Sequence, residues 1–407
     1  MSDTALADEV WTPWRAVYAF GLVSMFGDMV YEGMRSMSGP LLGSLGASAL
    51  AVGFVTGAGE AAALVLRLAT GPWADRSQQY WRLSVAGYAM TAVSVPLLAI
   101  APFVGGAGVA VASALILTER VGKAVRSPAK SVLLASMATQ TGRGRGFGVQ
   151  KALDQVGAFS GPLLLAGMAA LTGVLWPGFA LLAIPGAIAL LLLAQLRRHV
   201  PSLASTEVGE GRTQKATWST SVLGADLPRD FHVFSLAVAL TTAGLMTFGV
   251  ISFALVRTDV VSLAQVPLVY ALAMAVGAVA ALVTGEFFDR WGAGVLLVVP
   301  VLVAGVPLCV FTGYWLVVLI GVVLWGAASG VQDSTVKALI ADLVVPAKRG
   351  AAYGIFAAVQ GIGALAGGAV AGALLTGRTE ALAVIVGVLQ AIALLLLWRT
   401  IRAARAR

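Results

Sequence analysis

The residues of this chain able to do chemistry are charges set in apolar surroundings. Asp28, Glu32 and Arg35 fall in one apolar segment at spacings of four and three, so a helix carries all three on one stripe. Two carboxylates that close disfavour joint ionisation, a property that a proton-carrying site requires. Glu60 and Arg67 occupy the next apolar segment. Farther on, Glu119, Lys123, Arg126 and Lys130 are spaced four, three and four apart, beside Arg120, and write a basic ladder with one acid on top. Asp154 follows one segment later, with Lys151, and is the natural partner for Arg126 or Lys130. That leaves one or two cations over, which in a cavity would draw an anionic or carboxylate-bearing solute. The second half of the chain offers only Asp333, Lys337 and Asp342 near one another, with Glu286 apart.

An ionisable group at bilayer depth costs roughly 2.5–3.5 kcal/mol even on lenient insertion scales, so each is read as functional and given a partner. Two plainer readings compete. Single pairs can be static struts between helices, and Lys123 and Lys130 can reach out to headgroup level. As a set, Asp28, Glu32, Glu60 and Glu119 are the proton-coupling candidates. Met25, Met29, Arg35, Arg120, Lys123, Arg126, Asp333 and Lys337 are the solute-cavity candidates. Met25, Met29, Met34 and Met37 crowd one segment. Thioethers can bind copper(I), which makes a soft-metal importer conceivable, but such a stripe is usually an adaptable apolar lining. No metal is assigned, since His199 and His232 lie in or beside a polar linker. The lone Cys309 excludes an internal disulfide. No Gly-x-x-x-x-Gly-Lys-Ser/Thr loop is present to hold ATP, and no Ser, His, Asp constellation suggests a hydrolase. Neither an enzyme nor a cofactor is expected.

These groups must be positioned by membrane helices. Hydrophobic residues make up 59% of 407 positions and charged ones 11%, with a mean hydropathy of +0.90. The bilayer is then the solvent, and apolar runs of about 20 residues that bond their own backbones are helices. Helices are predicted near 15–44, 48–71, 82–103, 106–134, 146–171, 177–197, 231–257, 265–287, 293–312, 315–342, 350–375 and 380–400. The acidic start and the length of the first run predict that no signal peptide is cleaved. Arg76, Arg82, Arg197, Arg198, Arg290 and Arg399 are among the many basic residues falling on one side, and only Arg257 and Arg378 fall on the other. The positive-inside rule therefore places both termini in the cytoplasm, and the net charge of +8 reflects membrane side rather than a nucleic-acid partner. Eight tryptophans, Trp11, Trp14, Trp73, Trp81, Trp176, Trp291, Trp315 and Trp398, fall at predicted interfaces.

The polar stretch His199 to Arg229 reads as a linker between a six-helix half, residues 1–198, and a second one, 230–407, the linker itself being 199–229. The halves repeat. Gly71-Pro-Trp-Ala-Asp75-Arg76 recurs as Gly285-Glu-Phe-Phe-Asp289-Arg290, and Gly148, Gly157 and Gly161 recur 206 residues later as Gly354, Gly363 and Gly367.

These residues carry a resemblance that covers nearly the whole chain. Gly-x-x-x-Asp-Arg after the second helix resembles the signature loop of the major facilitator superfamily. Its downstream glycine is kept in the second copy as Gly292 and replaced in the first by Ser77, Gln78 and Gln79. Gly148, Gly157, Gly161 and Pro162 are similar to the helix-five motif of the drug/proton antiporter branch, with Leu165-Ala166 where that motif carries Gly-Gly. Arg120-Val-Gly122-Lys-Ala is similar to the arginine motif that the branch associates with proton coupling. The resemblance implies an all-α integral membrane fold of twelve transmembrane helices in two pseudo-symmetric six-helix halves. It also implies a small-molecule substrate near the midplane, protons as the coupling partner and export as the direction. Asp75, Arg76, Asp154, Asp289 and Arg290 are expected to latch one conformation, since such carboxylates can bond arginines or cap a helix of the other half. Glycine spacing would let helices approach closely, with a bend at Pro162. A monomer in the cytoplasmic membrane is expected. The rival readings are a proton-driven importer of an anionic metabolite and a non-transporting receptor or assembly factor.

Overall fold

The computed structural model describes residues 11–139, 141–200, 227–334, 336, 339–340, 343–345 and 348–405, and every regular element among them is a helix. The first half holds α1 (Pro13–Ser44), α2 (Ala49–Val65), α3 (Arg67–Ser77), α4 (Tyr80–Leu97), α5 (Gly108–Met137), α6 (Arg143–Thr172), α7 (Trp176–Leu181) and α8 (Ala183–His199). The second holds α9 (Arg229–Leu245), α10 (Phe248–Arg257), α11 (Val266–Trp291), α12 (Val298–Val310), α13 (Trp315–Asp333), α14 (Arg349–Leu374) and α15 (Thr379–Arg405). Local signals start the first two. The Thr12 hydroxyl accepts from the Arg15 amide at 3.4 Å with Pro13 at the first position, and Ser48 accepts from Ala51 at 3.2 Å.

Nine stretches among the described residues are long and apolar enough to span a bilayer, and one of them, Val266–Val310, contains both α11 and α12. Helices α1 and α5 have 32 and 30 residues, ample length to cross a bilayer, and carry the charges Arg15, Asp28, Glu32 and Arg35 and Glu119, Arg120, Lys123, Arg126 and Lys130. Together these are consistent with twelve crossings. Trp14, Trp73, Trp176, Trp291, Trp315 and Trp398 are all exposed near helix ends.

Three helix ends differ from expectation. Asp75-Arg76 and Asp289-Arg290 lie in the last turns of α3 and α11, not in loops after them. Each helix runs on until a residue of positive φ stops it. In the second half that residue is Gly292 (φ 71°), and in the first it is Gln78 (φ 50°), so glutamine occupies the backbone position of the missing glycine. Helix α13 ends at Asp333, short of the predicted 342; Lys337 and Asp342 lie outside the described residues.

The sequence repeat is a repeat of contacts. A Cβ at Gly157 or Gly161 of α6 would come within 3.0 Å of the Met25 and Met29 carbonyl oxygens of α1. One at Gly363 or Gly367 of α14 would do the same to Ala239 and Ala243 of α9. Only glycine permits backbones that close. Gly148 is different: it is exposed near the end of α6, a Cβ there would meet nothing within 4 Å, and it takes no part in this packing.

The halves also meet backbone to backbone. Gly53 of α2 faces Gly368 of α14, Gly372 faces Ala49, and Gly39 of α1 faces Gly249 of α10, each with room for hydrogen only. The Thr56 and Thr247 hydroxyls share a hydrogen bond of 2.7 Å between halves. All these contacts lie toward the ends opposite the charge-rich loops, so that side is sealed. Beside the seal the helix of α9 and α10 is broken at Met246, a non-glycine residue at φ 59°, ψ 160°. That conformation costs on the order of 1–3 kcal/mol and is held by its surroundings. Here the buried Trp325 indole donates to the Met246 carbonyl at 3.2 Å.

Candidate functional site

The charges predicted on α1, α2 and α5 converge because glycines bring their helices together. Gly87 of α4 and Gly122 of α5 pack against each other's carbonyls, which presses Arg126 over the Tyr88 ring at 4.8 Å and turns the α5 ladder toward α1. At the centre one oxygen of Glu60 lies 3.1 Å from Arg35 and 3.5 Å from Arg120. Arg120 also donates to the Tyr31 hydroxyl at 2.7 Å. Its guanidinium lies 4.8 Å, and the Lys123 ammonium 3.5 Å, from the centre of the Tyr31 ring.

Below this, the fully buried Glu119 bridges Arg120 at 3.6 Å and Arg126 at 4.0 Å, and accepts from the Thr91 hydroxyl at 3.4 Å. Arg126 reaches Asp28 at 3.8 Å and donates to Thr91. Lys130 lies 3.4 Å from Asp154 and bonds the Ser24 hydroxyl, while the Gln150 amide donates to both Asp154 and Ser24. Burying such pairs stabilises the fold little, because desolvation offsets attraction, yet removing one partner costs about 3–5 kcal/mol.

Among the described residues, one hydrogen-bonded side chain of the second half joins these charges. The Tyr270 hydroxyl of α11 donates to Glu32 at 2.5 Å and accepts from Arg35 at 3.3 Å, while Arg35 and Glu32 stand 3.8 Å apart. Tyr270 packs edge-on against Phe248 at 4.6 Å, and both adjoin Trp325, the residue that holds the Met246 carbonyl. Glu32 is thereby joined to the break between α9 and α10 through packed rings.

The structure sorts the expectations. Asp28 and Glu32 share a helix face but turn to different cations, so repulsion between them is not what shapes the site. Lys130 pairs with Asp154 inside the protein and does not reach out to headgroup level, as the plainer reading had it. Lys123 is the cation left over: no carboxylate among the described residues lies within 4.0 Å of it, and it rests on Tyr31. Met25 and Met29 are half-buried, and their backbone carbonyls form the seat for Gly157 and Gly161. Pro162 lies buried within α6.

Asp333 is exposed at the end of α13 and acts electrostatically on Arg67 of α3, across the halves. Among the latch candidates, Asp75 bonds Tyr80, Asp154 pairs with Lys130 and Arg290 pairs with Glu286 at 2.6 Å, each within its own half. Arg76 and Asp289 are exposed at helix ends. Sequence reasoning missed Tyr31, Tyr270, Thr91, Ser24 and Gln150. Tyr31 adjoins Glu32 and could have been noticed; the rest carry no signal without knowledge of which helices touch.

The comparisons with known proteins agree with this architecture. An uncharacterized protein of Mycobacterium tuberculosis is 47% identical over 390 residues, covering 95% of this chain and 92% of its own. Among solved structures, a point mutant of the nucleoside transporter NupG superposes with a TM-score of 0.75 at 14% identity, over 96% of this chain and 99% of its own. The peptide transporter POT, in complex with sulfate, superposes at 0.70 and 17% identity, over 96% and 94%. At such identity these two share the fold alone. The sequence model described as Major Facilitator Superfamily matches residues 17–306 and 234–407, spanning both halves. By its sequence and by the helical repeat that places the charge network, the chain belongs to the Major Facilitator Superfamily.

Proposed function

We propose that this chain is a secondary active transporter that moves a small organic solute across the cytoplasmic membrane by alternating access, with protons coupled through buried carboxylates of the first half. The observation that carries this reading is the bond between Glu32 and Tyr270. A ligand shifts a two-state equilibrium only by binding the two states differently. A proton on Glu32 removes the charge that Tyr270 and Arg35 hold, so protonation and the cross-half contact draw on the same atoms. Transporters of nucleosides and peptides on this fold support a small polar or amphipathic cargo.

Resemblance to the drug/proton antiporters favours export. Physically, direction follows solute charge: an organic cation would exchange against the proton and leave, whereas an anion would travel with the proton and enter. The test is proton-linked flux in proteoliposomes of the full chain, with Asp28→Asn, Glu32→Gln and Glu119→Gln compared. At least one should lose coupling while solute exchange persists; proton-linked flux unaltered in all three would rule them out as carriers and leave Glu60, and no flux from the parent protein would favour a non-transporting receptor.

A further inference from the structure

The charge balance of the network restricts the solute. Each of its five carboxylates has a cation within 4.0 Å, while one of its five cations, Lys123, has no carboxylate that close among the described residues. An incoming organic cation would find no carboxylate vacant. An incoming anion would find Lys123, Arg35 and Arg120 gathered around Tyr31 and Glu60.

Resting on the transport reading above, we infer that the solute is an organic anion that takes Arg35, Arg120 and Lys123 in place of Glu60, and that the displaced Glu60 carboxylate takes up the proton that travels with it. The groups facing Glu60 are Arg35 and Tyr31 from α1, Arg67 from α3, and Arg120 and Lys123 from α5. Two further carboxylates share its guanidiniums, Glu32 at 3.8 Å from Arg35 and Glu119 at 3.6 Å from Arg120. Held between two guanidiniums, Glu60 keeps its charge; robbed of them at bilayer depth, it faces among the described residues only Arg67, which Asp333 also draws, and a proton from water relieves the poorly compensated charge.

With these ten groups ionised, and Arg67 balanced by Asp333 of the second half, the network is neutral. A bound monoanion adds one negative charge and the proton removes it, so the loaded site is neutral again and can turn over without a buried net charge. Access and position together favour Glu60 as the residue displaced: Glu60 and Asp28 each keep 23% of their side-chain surface whereas Glu119 keeps none, and of the two more exposed ones only Glu60 pairs with Arg35 and Arg120. Arg67 adds a further cation, and its buried Nε has no hydrogen-bond partner among the described residues.

The experiment uses the full chain in liposomes loaded with a pH-sensitive dye. The probe is a bacterial cell extract split by ion exchange into anionic, neutral and cationic fractions, with protein-free vesicles as control. Acid should enter with the anionic fraction alone. Lys123→Gln should reduce that entry at least tenfold and Lys123→Arg should restore it, provided both variants melt like the parent. Glu60→Gln, which frees both guanidiniums without a proton, should keep exchange of the anion while losing proton entry. Proton movement with only the neutral or cationic fraction overturns the anionic solute and leaves proton-coupled transport standing. Proton entry that survives in Glu60→Gln overturns Glu60 as the carrier. Proton movement with no fraction overturns coupling itself, and this inference with it.

Discussion

Replacing Tyr270 by phenylalanine deletes one oxygen and leaves the ring among Phe248 and Trp325 unchanged. That oxygen makes the bond to Glu32 at 2.5 Å and the bond from Arg35 at 3.3 Å. Arg35 keeps Glu60 at 3.1 Å, so the loss falls mainly on Glu32. A hydrogen bond to a charged group is worth about 1.5–3 kcal/mol; taking about 2 kcal/mol, the sealed state loses roughly 30-fold against the state in which the halves part on that side. The seal can be read by chemical labelling. Ser252 is fully buried beside Gly39, and the lone Cys309 is removable, so Ser252→Cys on a Cys309→Ala background reports opening to an impermeant maleimide. Tyr270→Phe should raise the labelling rate by roughly 30-fold. Gly39→Ala is the positive control, because its Cβ would collide with the Gly249 carbonyl. If Gly39→Ala raises labelling and Tyr270→Phe changes it less than twofold, Tyr270 does not hold the halves together.

Three further outcomes can be read by thermal unfolding of purified protein in detergent. Gly161→Ala and Gly367→Ala each place a methyl against a carbonyl of the neighbouring helix and should each destabilise by about 2–3 kcal/mol, whereas Gly148→Ala, in open space, should stabilise by about 0.5–1 kcal/mol. Equal losses at all three would deny that the two close contacts matter. Gln78→Gly relieves a left-handed glutamine, at about 1–2 kcal/mol, against a glycine entropy cost of about 0.5–1, and should raise stability by roughly 0.5–1 kcal/mol. Trp325→Phe strips the donor from the Met246 carbonyl and should cost about 1–3 kcal/mol, with faster amide exchange around residues 245–248 as the local readout.

Much of the fold was legible because it rests on properties of single segments. Hydropathy identified the membrane helices, including the charge-bearing α1 and α5, and the 206-residue shift of glycines announced the repeated contacts of α6 on α1 and α14 on α9. That Asp154 takes Arg126 or Lys130 and leaves one or two cations over was also readable from helical spacing and charge number, and the structure selects Lys130.

Partner choice was not. That Asp28 takes Arg126, that Glu60 stands between Arg35 and Arg120, and that an uncharged Tyr270 is the second half's contribution to the network depend on how helices are rotated and tilted about one another. Those rotations are set by backbone contacts elsewhere, such as Gly87 on Gly122 and Gly53 on Gly368. The extension of α3 through Asp75 was hidden for a related reason: Gln78 adopts a conformation its side chain disfavours, and the chain around it must hold it there. Spacing along one helix decides which residues share a face, but only the packing of two helices decides what that face meets.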